Sequence, residues 1–161
     1  MMKYKRLSKE QFEELHVEFA TFLASQQIDA REWTEIKEIK PEMAEEELDL
    51  FSDMVWEDVL GKVKYLEHFS EKVINLFKSG PGTIKRIVVQ VNKPDFNFLN
   101  RADFQWFIEN TNDTAVSFFK GEKNYEGERN SELFDLIQKG SIISEGSLYE
   151  SIINLLLLEK K

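Results

Sequence analysis

The sequence predicts an α+β fold, in which a helical N-terminal half packs on a small three-stranded antiparallel or mixed sheet, followed by two C-terminal helices. Three observations predict it. Apolar residues recur at helical spacing through the first third of the chain. The first dense β-branched runs, Val73–Lys78 and Thr83–Val91, come later and are split by the turn Ser79-Gly80-Pro81-Gly82. The 161 residues hold no internal repeat and no Pro/Gly-rich linker, so they read as a single domain, 1–161.

The elements follow in order. Residues 1–7 read as a short arm. Ser8 and Gln11 form a capping box, and Phe12, Leu15, Phe19, Phe22 and Leu23 then mark a helix over about 9–25. Asp29 starts a second helix through Trp33 and Ile36, which ends near Lys40 because the residue before Pro41 disfavours the helical region. Pro41 suits the first turn of a third helix running to about Gly61. The alternation of Val63 and Tyr65 signals a change of state. The hairpin comes next, ended by Pro94. A short helix is expected at Ala102–Asn110, a third strand at Thr114–Lys120 and a mobile polar loop at Gly121–Arg129. A helix at Asn130–Lys139 stops at Gly140. Ser147 and Glu150 form another capping box, opening a last helix to about Leu158.

Lys and Arg number 21 against 30 Asp and Glu, for a net charge of −9. Residues 1–80 hold 11 of those bases and 18 of the acids, so the acidity is concentrated there. Such a chain repels nucleic acid phosphates and suits a basic protein partner. Cysteine is absent, which excludes disulfide and thiolate chemistry and leads to the expectation of a cytoplasmic protein. The start, MMKYKRLSKEQ, is basic but lacks the apolar stretch of a secretory signal. The apolar run Ile152–Leu158 is far shorter than the roughly 20 residues of a membrane helix. It is apolar on nearly all sides, so it either forms a homodimer contact or is clamped within the fold.

Motifs for catalysis are sparse. The only glycine cluster lies between two strands rather than at a helix start, which is the wrong place for a phosphate loop. Pro94-Asp95 resembles the start of a nuclease strand motif, but no acidic-x-Lys element follows on a strand. Glu13-x-x-His16 has the helical spacing of a carboxylate-bridged metal motif in a single copy. With His68 it forms a candidate site for one divalent metal. Otherwise His16 flanks an apolar stripe, and His68 is an ordinary residue of a connection.

The third helix is the richest stretch. At about 100° per residue, Glu42, Glu45, Glu46, Asp49, Asp53 and Glu57 share one face, and Met43, Ala44, Leu48, Leu50, Phe51, Met54, Val55 and Val59 share the other. Four residues break this sorting. Glu47 and Asp58 fall in the apolar arc, as buried carboxylates or as groups that find a partner or solvent. Trp56 and Leu60 fall in the acidic arc, as an exposed anchor or as core.

The strings FEELHVEFATFLA (12–24), ELDLFSDMVWEDVL (47–60), KYLEHFSEKVINLFK (64–78) and NSELFDLIQKG (130–140) resemble a family of small uncharacterised proteins from Bacteroidetes-type bacteria, a domain of unknown function. The resemblance spans nearly the whole chain. It implies a bacterial cytoplasmic protein of one full-length domain, and no activity, cofactor or site residue.

The function expected from the residues is a non-enzymatic binding or protein-interaction module without a cofactor. Its contact surface is Asp49, Asp53, Trp56, Glu57 and Leu60, facing a basic protein. The alternative is a small metal-assisted hydrolase using His16, His68 and nearby carboxylates. A third expectation is mimicry of nucleic acid by the carboxylate row.

Overall fold

The structure, a computed structural model, describes residues 2–159. The chain forms two compact units, one up to Gly61 and one from Lys62. Among the described residues there are seven helices and one five-stranded antiparallel sheet.

The first unit holds α1 (Lys9–Glu14), α2 (His16–Ser25), α3 (Ala30–Ile39) and α4 (Pro41–Lys62), the last of which ends at the unit boundary. The capping box forms as the sequence predicts: Gln11 N donates to Ser8 Oγ at 3.2 Å and Ser8 N to Gln11 Oε1 at 2.8 Å. Asp29 caps α3 by accepting from Glu32 N at 2.8 Å. The single helix expected over 9–25 is interrupted at Leu15, whose φ and ψ are −102° and 23°. Just beyond, His16 Nδ1 lies 2.9 Å from the Glu13 carbonyl oxygen. A side chain bonded to that carbonyl competes with the helical amide for it.

Aromatic rings fill the interior of this unit. Phe51 is fully buried, with its ring centroid 5.0 Å from Phe19, 5.4 Å from Phe22 and 5.9 Å from Phe12. Phe19 also meets Trp33 edge-to-face at 5.3 Å. The apolar arc of α4 is only partly covered. Phe51 and Ala44 are buried, whereas Met43, Leu50, Met54 and Val59 are exposed. The sorting by angle is right, but the buried sector is narrower than the apolar one.

The second unit holds β1 (Tyr65–Phe69), β2 (Val73–Ser79), β3 (Thr83–Val91), α5 (Arg101–Glu109), β4 (Val116–Asn124), α6 (Arg129–Gln138), β5 (Ile142–Ser144) and α7 (Ser147–Glu159). The sheet order is β4-β3-β2-β1-β5, with every neighbouring pair antiparallel. The sequence-predicted three strands therefore become five, and α5 joins antiparallel neighbours instead of crossing over. Alternation sends Ile74 and Leu76 of β2 and Ile87, Val89 and Val91 of β3 to one face. There they form one core with Phe96, Phe98, Phe107, Tyr149 and Ile152. Phe77 and Ile84 point to the opposite face and are also buried.

The loop expected at Gly121–Arg129 is neither a loop at its start nor free at its end. β4 continues to Asn124, paired with Thr83. Tyr125 Oη then donates to the Gly80 carbonyl at 2.9 Å, and Arg129 Nε donates to the same oxygen at 3.2 Å. Arg129 Nη2 reaches the Val63 carbonyl at 2.5 Å.

Two glycines are required by space and by backbone. Gly140 has φ +112°, and a Cβ there would lie 3.1 Å from the His68 ring. Gly146 has φ +86°, and a Cβ there would run into the Tyr65 ring. Gly146→Ala is expected to destabilise the protein by about 1–3 kcal/mol, from left-handed backbone strain plus displacement of Tyr65. Phe51→Ala is expected to cost about 3–5 kcal/mol by removing a fully buried ring. Urea denaturation of each variant checks both values.

Candidate functional site

The acidic face of α4 meets the N-terminal arm of its own chain. The Asp53 carboxylate accepts two successive backbone amides, Lys3 N at 2.6 Å and Tyr4 N at 2.8 Å. Glu57 Oε2 accepts from Tyr4 Oη at 2.7 Å and pairs with Lys3 Nζ at 3.2 Å. Arg6 reaches Asp49 Oδ1 through Nε at 2.7 Å and pairs with Glu45. The Asp49 hydrogen bond, with Glu45 behind it, pushes the Arg6 guanidinium up. Burial, and then the Glu57 hydrogen bond, push the Tyr4 phenol up to about 12. Tyr4 is therefore a neutral donor at ordinary pH.

The arm is anchored at its inner end. Leu7 is buried, and its amide donates to Ser52 Oγ at 3.0 Å. Ser52 is itself fully buried and donates to the Leu48 carbonyl at 2.7 Å. The outer contacts are more open: Lys3 and Glu57 side chains are 42% and 48% exposed. Pairs of this kind are worth about 0–1 kcal/mol each. The arm is thus fixed at Leu7 and held by exchangeable contacts from Lys3 to Arg6.

The four residues that break the angular sorting of α4 separate cleanly. Trp56 is half-buried, and its indole Nε1 donates to the Lys5 carbonyl at 3.0 Å, so it too grips the arm. Leu60 is fully buried and forms no part of an open surface. Glu47 is buried and accepts from Gln26 Nε2 at 2.7 Å. Asp58 is exposed, so it is not a buried carboxylate, because its turn of the helix faces solvent.

Glu13 and His16 are both exposed on the first unit, and His68 lies on β1 of the second, against Gly140. Among the described residues no three His, Cys, Asp or Glu side chains gather as a metal ion would need. No described helix is long and apolar enough to cross a membrane. In α7, Ile152 is buried in the core, whereas Leu157 and Leu158 are exposed.

A polar cluster that sequence patterning did not single out lies on the core face of the sheet, at its β2–β3 turn end. Tyr65 Oη and Lys78 Nζ both donate to Glu150 Oε2, at 2.6 and 2.9 Å. Lys78 also lies over the rings of Tyr65 and Tyr149, at 5.7 and 5.9 Å from their centroids. The Tyr65 and Lys78 hydrogen bonds hold the Glu150 carboxyl below its ordinary range. The Glu150 hydrogen bond pushes both Tyr65 and Lys78 up. Near neutral pH Glu150 is charged, Lys78 protonated and Tyr65 neutral, so the cluster is a tie rather than a proton relay. Ser147 begins α7 instead of capping it, and Glu150 serves Tyr65 and Lys78. Their register, Tyr65 beside Lys78 on neighbouring strands, shows only once β1 is paired.

A groove of about 640 Å³ lies between the opposite sheet face and α6. Phe77, Ile84 and Leu136 line it, with charges of both signs at its walls. Two of the cations are answered from within. Lys123 pairs with Glu132 at 3.4 Å, and Arg86 donates twice to Asn75 Oδ1, at 3.0 and 2.5 Å.

The Glu150 tie has a pH signature. Its carboxyl is depressed in the folded state, so its contribution is complete above the ordinary value of 4.5 and is lost as pH falls below it. Glu150→Gln is expected to lower stability at pH 7 and to flatten the loss of stability as pH falls below 4.5. Thermal melts of both proteins across that range check this.

No curated protein and no solved structure matches the chain. Residues 2–157 match the family of unknown function DUF6495. A match over nearly the whole described chain shows that this protein belongs to that family.

Proposed function

We propose that this protein is a non-enzymatic interaction module whose α4 face takes up an extended basic segment of a partner protein in place of its own arm. The observation that supports this reading is the grip of Asp53 on two successive backbone amides. That contact recognises an extended main chain whatever its side chains. Asp49, Glu45 and Glu57 then select for cations at neighbouring positions, and Trp56 holds a carbonyl between them. A partner strand offering a Lys-Tyr-x-Arg pattern would meet the same donors and acceptors.

The test weakens the arm and supplies its equivalent in trans. A labelled peptide, KYKRL, is titrated into the full chain and into a Lys3→Glu/Arg6→Glu variant. The variant is expected to bind roughly tenfold more tightly, because its own arm no longer competes. Adding Asp49→Lys and Asp53→Lys is expected to abolish binding. Affinity is expected to fall as salt rises from 0.05 to 0.5 M, on the order of the screening that exposed pairs undergo. Equal binding by all three proteins overturns the proposal.

A further inference from the structure

The first unit also contains a groove of about 380 Å³ with an unusual charge pattern. Its apolar lining includes Phe12, Phe19 and Trp33, which belong to the aromatic interior but are only half-buried. The charged residues lining it are Arg6, Lys9 and Lys37, with no carboxylate among them. In a chain with 30 acids against 21 bases, that is a local reversal of sign. Arg6 is committed to Asp49 and Glu45. Among the described residues neither Lys9 nor Lys37 pairs with a carboxylate; Lys37 Nζ instead lies 5.9 Å from the Trp33 ring centroid. Two exposed ammonium groups thus flank an open aromatic surface. The large sheet groove differs, since carboxylates line it as well, and two of its cations, Lys123 and Arg86, are answered by Glu132 and Asn75.

We infer that this groove binds a small amphiphilic anion, with an apolar, preferably aromatic, body on Phe12, Phe19 and Trp33 and a carboxylate between Lys9 and Lys37. The aromatic surface supplies the burial of the apolar body. The two ammonium groups select the sign of the head. A cationic head of the same shape is repelled, and a head without a body gains too little contact to be held. Arg6 and Leu7 of the arm also line the groove, but no α4 carboxylate does, and the variants below change Lys9 and Lys37 while leaving the arm's own contacts to α4 intact.

The test is a proton–nitrogen correlation NMR titration of the full chain with three probes: phenylacetate, phenethylamine and acetate. Phenylacetate is expected to give saturable shifts at the Trp33 indole and at amides around Phe12 and Phe19. The other two probes are expected to bind at least about tenfold more weakly. A Lys9→Glu/Lys37→Glu variant is expected to lose at least about tenfold in phenylacetate affinity. Both lysines are exposed, so its spectrum should otherwise be retained; should it unfold, Lys9→Gln/Lys37→Gln takes its place and is expected to lose a smaller factor. Equal binding of phenethylamine, unchanged affinity in the folded double variant, shifts centred elsewhere, or no saturation with phenylacetate overturns the inference.

Discussion

Eight carboxylates and a single lysine lie along α4, and the first unit has to accommodate that repulsion. Solvent screens part of it. The rest is met by the chain's own beginning, which lays Lys3 and Arg6 and two backbone amides against Asp49, Asp53 and Glu57. Glu47, turned inward, takes its hydrogen bond from Gln26 instead. The arm is therefore no loose end. It supplies the positive charge that a helix of this composition needs, from residues nearly fifty positions away.

The grip is graded. At Leu7 a buried side chain and a buried serine hydroxyl fix the backbone, and loss of the hydroxyl leaves the Leu7 amide without its partner. From Arg6 outward the contacts are ion pairs and hydrogen bonds that are mostly accessible, and the exposed ion pairs are each weak by themselves. Tyr4 adds a phenol whose pKa is pushed up to about 12, so it stays a donor to the Glu57 carboxylate well into alkaline solution.

What the sequence revealed and what it hid divide along one line. Helical period and caps are local, so α3 and α4, the Ser8 capping box and the amphipathic sorting were legible within a few residues. β2 and β3 were legible because their branched residues alternate. β1 and β5 were not. β1 has one fully buried residue, Leu66, and β5 is three residues long; β1 takes its form from backbone pairing with β2, and β5 from pairing with β1, a strand distant in sequence. The polar end of β4 is held by its backbone pairing to β3, which composition does not report. The same holds for the site. The acidic face was readable from α4 alone, but its complement in KYKR was not, because charge complementarity between distant segments leaves no periodic trace. Leu60 likewise shows only that it stands out from its arc, not that it is buried.

The Gly80 carbonyl accepts from both Tyr125 and Arg129, and Arg129 also holds Ser79 and the Val63 carbonyl. One guanidinium thus ties together segments that lie 50 and 66 residues before it. Contacts across such separations carry a loop-closure entropy that ordering of the intervening chain lowers. β4 lies in that intervening chain. The ties at Gly80 therefore join the β2–β3 turn to the chain that follows β4, so amide hydrogens at this turn report on both.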